Sequence, residues 1–195
     1  MKTQPATGET YPKSDLFNKA GQIRECYGRV VYSHKTHEKC ADILIRKHEN
    51  IKLWQIVVSA LVTGGIVSTF FDKGNVSAII SVVLSTILLI LNTYTKNYDL
   101  GELAQKHRQA GCDLWIIREE YLSLLTDIRI GDISLDKIRE KRDKLTKELQ
   151  AVYAGSPSTN YKAYIAAQKA LKELEDMTFS DSEIDAFLPK ELKRS

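Results

Sequence analysis

Two uncharged stretches set four residues apart constrain this chain more than any other feature. Leu53–Phe71 reads LWQIVVSALVTGGIVSTFF, 19 residues, and Val76–Thr95 reads VSAIISVVLSTILLILNTYT, 20 residues. Wound as α-helices, each reaches across a hydrocarbon core of roughly 30 Å. A helix of a soluble protein usually keeps a polar face. These two carry no charge on any face, so two transmembrane helices are expected rather than a pair of buried soluble ones. The mean hydropathy of −0.26 conceals them, because the rest of the chain is polar.

Asp72-Lys73-Gly74-Asn75 joins the two stretches. Gly and Asn suit a tight turn, and four residues cannot cross a bilayer. The spans therefore form an antiparallel hairpin, with both outer ends on one side. Lys39, Arg46, Lys47 and Lys52 precede the first span, and Lys96, Lys106 and Arg108 follow the second. The positive-inside rule makes that side, and both termini, cytoplasmic. Trp54, Tyr94 and Tyr98 stand at the cytoplasmic ends, where aromatic side chains gather.

Small and hydroxyl residues follow helical spacing inside the spans. In the second, Ser77, Ser81 and Ser85 are four apart, and Asn92 follows one heptad later. In the first, Ser59, Thr63, Gly64, Gly65 and Ser68 occupy the middle and outer half. Two readings stay open. Small residues let membrane helices pack closely. The same stripe, in an oligomer, can line a water path, with Ser77, Ser81, Ser85 and Asn92 as the pore-lining candidates. Ser59, Thr63, Gly64 and Ser68 are the helix-packing candidates of the first span. No Asp, Glu, Lys, Arg or His lies in either span, which speaks against a proton relay or a charge-selective filter.

The flanks read as long helices. Leu16, Ala20, Ile23, Tyr27, Val30, His34, His37, Ala41, Leu44, His48 and Ile51 recur at steps of three and four, a seam in which three positions are histidine. Ser14 is the expected N-cap. After the second span the pattern resumes at Leu100, Ala104, His107, Gly111, Leu114, Arg118, Tyr121, Leu125 and Ile128, with Gly131 the expected stop. The chain thus divides into a disordered tail (1–13), a cytoplasmic stalk helix (14–52), a first span (53–71), an outer turn (72–75), a second span (76–95), a second stalk helix (96–130) and C-terminal helices (131–195). The C-terminal helices follow from Ser134 ahead of Leu135 and Ile138, from the amphipathic run Tyr161–Leu174, and from the capping box Ser180–Glu183. The expected class is an all-α membrane protein. A two-span hairpin continues into an antiparallel stalk, beside a small C-terminal bundle.

The remaining chemistry is sparse. Cys26, Cys40 and Cys112 cannot form a disulfide framework, so a reducing compartment is the simpler reading. The first thirty residues contain no apolar core of a secretory signal. There is no P-loop, GxGxxG, HExxH, GxSxG or CxxC, and no spacing ties Ser, His and acidic residues together, so no enzyme, cofactor or catalytic residue is expected. In a hairpin turning at residues 73–74, facing positions sum to about 147. That sets His37 opposite Ala110 and Cys40 opposite His107. His37, Cys40, His107 and Cys112 then fall within a few turns, but His107 and Cys112 splay around their helix, and no metal site is expected. His34, His37 and His48 read as a solvated or inter-subunit contact, or as a pH-sensitive seam. A net charge of +3 is too weak to argue for nucleic acid. The ten positive and six negative charges of residues 1–52 read mostly as a solvated face, with a nucleotide or anionic-lipid contact the sharper alternative.

The order of elements resembles the SLATT family, as do the runs Tyr32-Ser33-His34-Lys35-Thr36-His37-Glu38 and Tyr94-Thr95-Lys96-Asn97-Tyr98-Asp99. That family is the two-transmembrane effector domain found beside SMODS nucleotidyltransferases and SLOG proteins in bacterial conflict systems. The resemblance covers about residues 14–190. It implies a homo-oligomeric, pore-forming effector of antiphage defence in the bacterial inner membrane, acting by abortive infection. The implied trigger is a nucleotide signal or an operon partner, a nucleotidyltransferase or reverse transcriptase. A constitutive small channel or scaffold, and a nucleotide sensor merely anchored by its spans, are the alternatives.

Overall fold

The computed structural model describes residues 13–69, 75–131 and 133–193. The N-terminal tail, the outer turn at 72–74 and the side chains of 13–19, Ser14 among them, lie outside the described residues. Among the described residues six α-helices follow in order: α1 Lys13–Ser68, α2 Val76–Asn97, α3 Leu100–Ile130, α4 Leu135–Gly155, α5 Tyr161–Lys172 and α6 Asp181–Phe187, then a 3-10 turn at Lys190–Leu192. Among the described residues there is no strand.

The 56-residue α1 is the spine. At 1.5 Å per residue it is roughly 84 Å long. No proline interrupts it, and it passes from stalk to span without a break. Helix α2 packs on its outer half, α3 and α5 on its inner half, and α4 packs against α3. The core is formed where three of these meet. Ile23 and Val30 of α1, Leu114, Ile117, Tyr121 and Leu124 of α3, and Ile138 and Leu145 of α4 form one buried cluster. On α3 the buried face runs Leu114, Ile117, Tyr121, Leu124 rather than through Arg118 and Leu125. Both phases step by three and four. The apolar Ile117 wins the interior over the guanidinium of Arg118, which sits half-buried at its edge.

The span segments are covered only by each other. Ser81 is the one buried residue of α2, and among the described residues of the first span Val58 is the buried apolar one. The outer faces stay bare, with Ile56 67% and Leu89 66% exposed. Core helices of a soluble protein would be wrapped by other elements. Stretches this long, apolar and unwrapped fit a two-transmembrane hairpin.

The second arm is not one helix. Tyr98 and Asp99 have ψ near 90°, and the Asp99 side chain caps α3 by accepting from the Glu102 backbone N–H at 2.8 Å. Two extended residues advance the chain by about 3.3 Å each, against 1.5 Å in a helix. The register therefore slides. In the spans Gly65 faces Ser81, positions summing to 146. In the stalk His37 meets His107, summing to 144, in place of the expected His37–Ala110 and Cys40–His107 facings.

Gly131 ends α3 at φ +82°, a conformation that favours glycine, and its N–H reaches Asp127 O at 3.1 Å. Asn160 caps α5, accepting from Ala163 N at 2.9 Å. The α5–α6 connection carries Glu175 and Met177 at φ 51° and 71°. It is tied to α1 by the Asp176–Lys35 ion pair at 3.1 Å. Burial opposes the Lys35 charge, but hydrogen bonds to Glu38 and Asp176 outweigh it and hold its pKa above the ordinary value. The Ser180–Glu183 capping box opens α6.

Candidate functional site

The pore-lining candidates fall on different faces. Ser81 turns into the hairpin and packs against Gly65, where a Cβ would overlap the serine oxygen. Its hydroxyl donates back to Ser77 O at 2.9 Å, and Ser77 is half-buried beside it. Ser85 is exposed, in a shallow groove of about 430 Å³ shared with Ile66 and Leu89. Asn92 is exposed but tied across the hairpin, accepting from Gln55 Nε2 at 2.9 Å. Gln55 also donates to Thr95 at 3.1 Å. Gln55 escaped the reading of the spans, although the 147 rule places it opposite Asn92.

The first-span candidates point the other way. Ser59, Thr63, Gly64 and Ser68 are all exposed, and a Cβ at Gly64 would meet open space. Thr63 and Ser68 satisfy their own hydroxyls on Ser59 O and Gly65 O, at 3.0 and 2.8 Å. Within one chain, Gly65 is the small residue that lets α1 and α2 approach. Below the spans, Tyr94 and Tyr98 stack at 5.0 Å, and Lys47 Nζ donates to the Tyr94 hydroxyl at 2.9 Å.

The stalk holds a buried imidazole pair. His37 Nδ1 and His107 Nδ1 lie 3.0 Å apart, so one ring donates and the other accepts. Burial pushes the His37 pKa down to about 4, helped by charge repulsion from His107 and His34. Burial likewise lowers His107. His34 is lowered by burial, against the pull of Glu38, whose carboxylate is 3.5 Å from Nε2. His48 is half-buried near Gly101, where α3 begins. Cys40 is buried, its thiol pKa raised by burial, with Asn160 Nδ2 at 3.8 Å. Cys112 is exposed on α3. Among the described residues no three His, Cys, Asp or Glu side chains converge to hold a metal.

Two recesses flank this pair. One, about 320 Å³, lies between α1 and the α4–α5 loop and is lined by His37 and by hydroxyl side chains. The other, wider, lies on the opposite side of α1 beside Trp115 and Arg118, whose guanidinium sits 6.0 Å from the indole ring.

No curated protein and no solved structure matches the chain. The family model of the SMODS and SLOG-associating 2TM effector domain, family 4, matches residues 20–183. That range holds both spans, the stalk and the capping box of α6. A family of membrane effectors of conflict systems, named for association with SMODS and SLOG proteins, accounts for a long hairpin without catalytic motifs: the chain belongs to the SMODS and SLOG-associating 2TM effector domain family 4.

Proposed function

We propose that the chain is a homo-oligomeric effector of antiphage defence. It permeabilises the bacterial inner membrane when a nucleotide signal, or the product of an operon partner such as a nucleotidyltransferase or reverse transcriptase, reaches its cytoplasmic helices. The outcome is abortive infection. Both termini are cytoplasmic. One observation carries the reading: the hairpin leaves Ser85 on α2 and Ser59, Thr63 and Gly64 on α1 on its outer faces. Two helices cannot enclose water, so a path needs several copies, and identical hairpins ring an axis by cyclic symmetry. The path would be neutral and poorly selective, since no charged ring is available.

Ser85 tests this more cleanly than Ser81, because Leu at position 81 would collide with Gly65 inside one chain. Ser85→Leu adds bulk at the bilayer centre while keeping insertion favourable by a few tenths of a kcal/mol. Membrane depolarisation is read in bacteria on induced expression, with and without the neighbouring operon genes, and cross-linking reads assembly. We expect Ser85→Leu to abolish depolarisation, Ser85→Ala to retain it, and both to assemble. Unchanged depolarisation with Ser85→Leu removes the pore assignment. Lost assembly makes Ser85 an interface spacer instead.

A further inference from the structure

The recess beside His37 has a composition that selects its occupant. Its walls come from α1, the end of α4, the Ser156–Asn160 loop and α5. Eight of its ten lining side chains carry a hydroxyl, and none carries a charge. No cationic side chain lines it, so nothing there neutralises the charge of a desolvated phosphate or carboxylate. The occupant is neutral where it sits, and it both donates and accepts hydrogen bonds.

Three features narrow it further. First, His37 is 3% exposed and spends Nδ1 on His107, which leaves Nε2 as the ring nitrogen available to the cavity. Nε2 donates or accepts according to the tautomer the pair adopts. Second, tyrosine rings supply flat faces. Tyr32 and Tyr164 pack at 6.1 Å with planes 30° apart, and Tyr153 and Tyr164 each stay 43% exposed. Third, the hydroxyls are oriented. Ser33 and Tyr153 bond each other at 2.8 Å across the recess, and Thr36 and Ser156 donate to backbone carbonyls at 2.7 and 2.6 Å, leaving lone pairs for a ligand. Asn160 fixes the loop by capping α5 and reaching Cys40.

We propose that this recess binds the nucleoside part of a nucleotide, with its phosphate outside in solvent. A base presents a stacking face and an edge of mixed donors and acceptors, which suits tyrosine rings and hydroxyls. A free sugar fits less well, because no carboxylate or amide lines the recess to compete with water for its hydroxyls. The volume of about 320 Å³ lies at the small end of ligand cavities, so one nucleoside fits and a dinucleotide does not. The His37–His107 contact places the ligand one hydrogen bond from α3, so occupancy sets the tautomer across the stalk. This inference supplies the input of the effector proposed above and rests on that reading only for its consequence.

Calorimetry on the full chain in detergent tests it. The probes are the four ribonucleosides, their 5′-monophosphates, ribose 5-phosphate and inorganic phosphate. At least one nucleoside should bind, its monophosphate within about threefold of it, and ribose 5-phosphate at least about tenfold more weakly. Thr159→Trp, on the exposed loop, should fill the recess, and Tyr164→Ala should strip a stacking face. Each should weaken binding by about tenfold or more with the thermal melt preserved. Trp115→Ala, in the other recess, should change nothing. Absence of nucleoside binding, equal binding of ribose 5-phosphate, or wild-type binding by Thr159→Trp and Tyr164→Ala overturns the proposal. Depolarisation without nucleoside binding leaves the pore and removes this site. Binding without depolarisation keeps the site and removes the pore.

Discussion

Single side chains carry the chain's clearest pH dependence. His37 holds its proton less firmly folded than unfolded, about 4 against the ordinary 6.5. A depressed histidine means the unfolded state binds more protons below pH 6.5, so stability falls as pH drops from there toward 4. Between pH 7.5 and pH 5 the loss from His37 alone is about 2 kcal/mol, and His107 and His34 shift the same way. Chemical denaturation of the detergent-solubilised chain should show that decline. A His37→Leu, His107→Leu double variant should flatten it, because replacing both partners leaves no orphaned polar atom. An unchanged slope in the double variant would place the proton elsewhere. The sequence marked these histidines as anomalous seam positions but paired them wrongly. The pairing rule assumed one helical rise throughout the second arm, and Tyr98–Asp99 breaks it. The polar residues of the spans were visible as a stripe. Which of them face inward was not, because the contact of Ser81 with Gly65 depends on how closely two backbones approach.

At the scale of elements, the helices were legible from period and caps. The capping box of α6, the glycine stop of α3 and the uninterrupted entry of α1 into the membrane all rest on local chemistry. The α2–α3 break had a local signal too, Asp99 three residues before Glu102, but the apolar period on both sides masked it. The glycines make the energetics testable. Gly131 adopts φ +82°, so Gly131→Ala should cost about 1 kcal/mol. Gly21 is exposed inside α1, with open space around a Cβ, so Gly21→Ala should gain up to about 1 kcal/mol. Thermal melts followed by helical circular dichroism should move in opposite directions. Parallel shifts would mean that the two helix contexts do not govern these sites.

For the whole molecule, the consequential expectation is orientation. With Cys26, Cys40 and Cys112 replaced, Lys73→Cys marks the turn that the sequence places outside, and Lys144→Cys lies on the exposed side of α4. A membrane-impermeant maleimide should label the first in intact cells and the second only after lysis, and the reverse pattern would invert the topology. The basic flanks argue for this, because Lys and Arg retained on one side orient short hairpins.

The continuous α1 has a consequence for the variation this chain can tolerate. Stalk and first span share one helix, so each residue added near Glu49–Lys52 turns the whole membrane face by about 100° relative to the stalk face. A single insertion there carries Gly65 away from Ser81 while leaving His37 on His107. A seven-residue insertion nearly restores the angle and lengthens the rod by about 10 Å. The first arm is thus phase-locked, and an added heptad there needs a matching addition to the second arm, because the two extended residues between α2 and α3 cannot span about 10 Å more. The second arm, with its two extended residues between α2 and α3, can absorb a single added residue as slack.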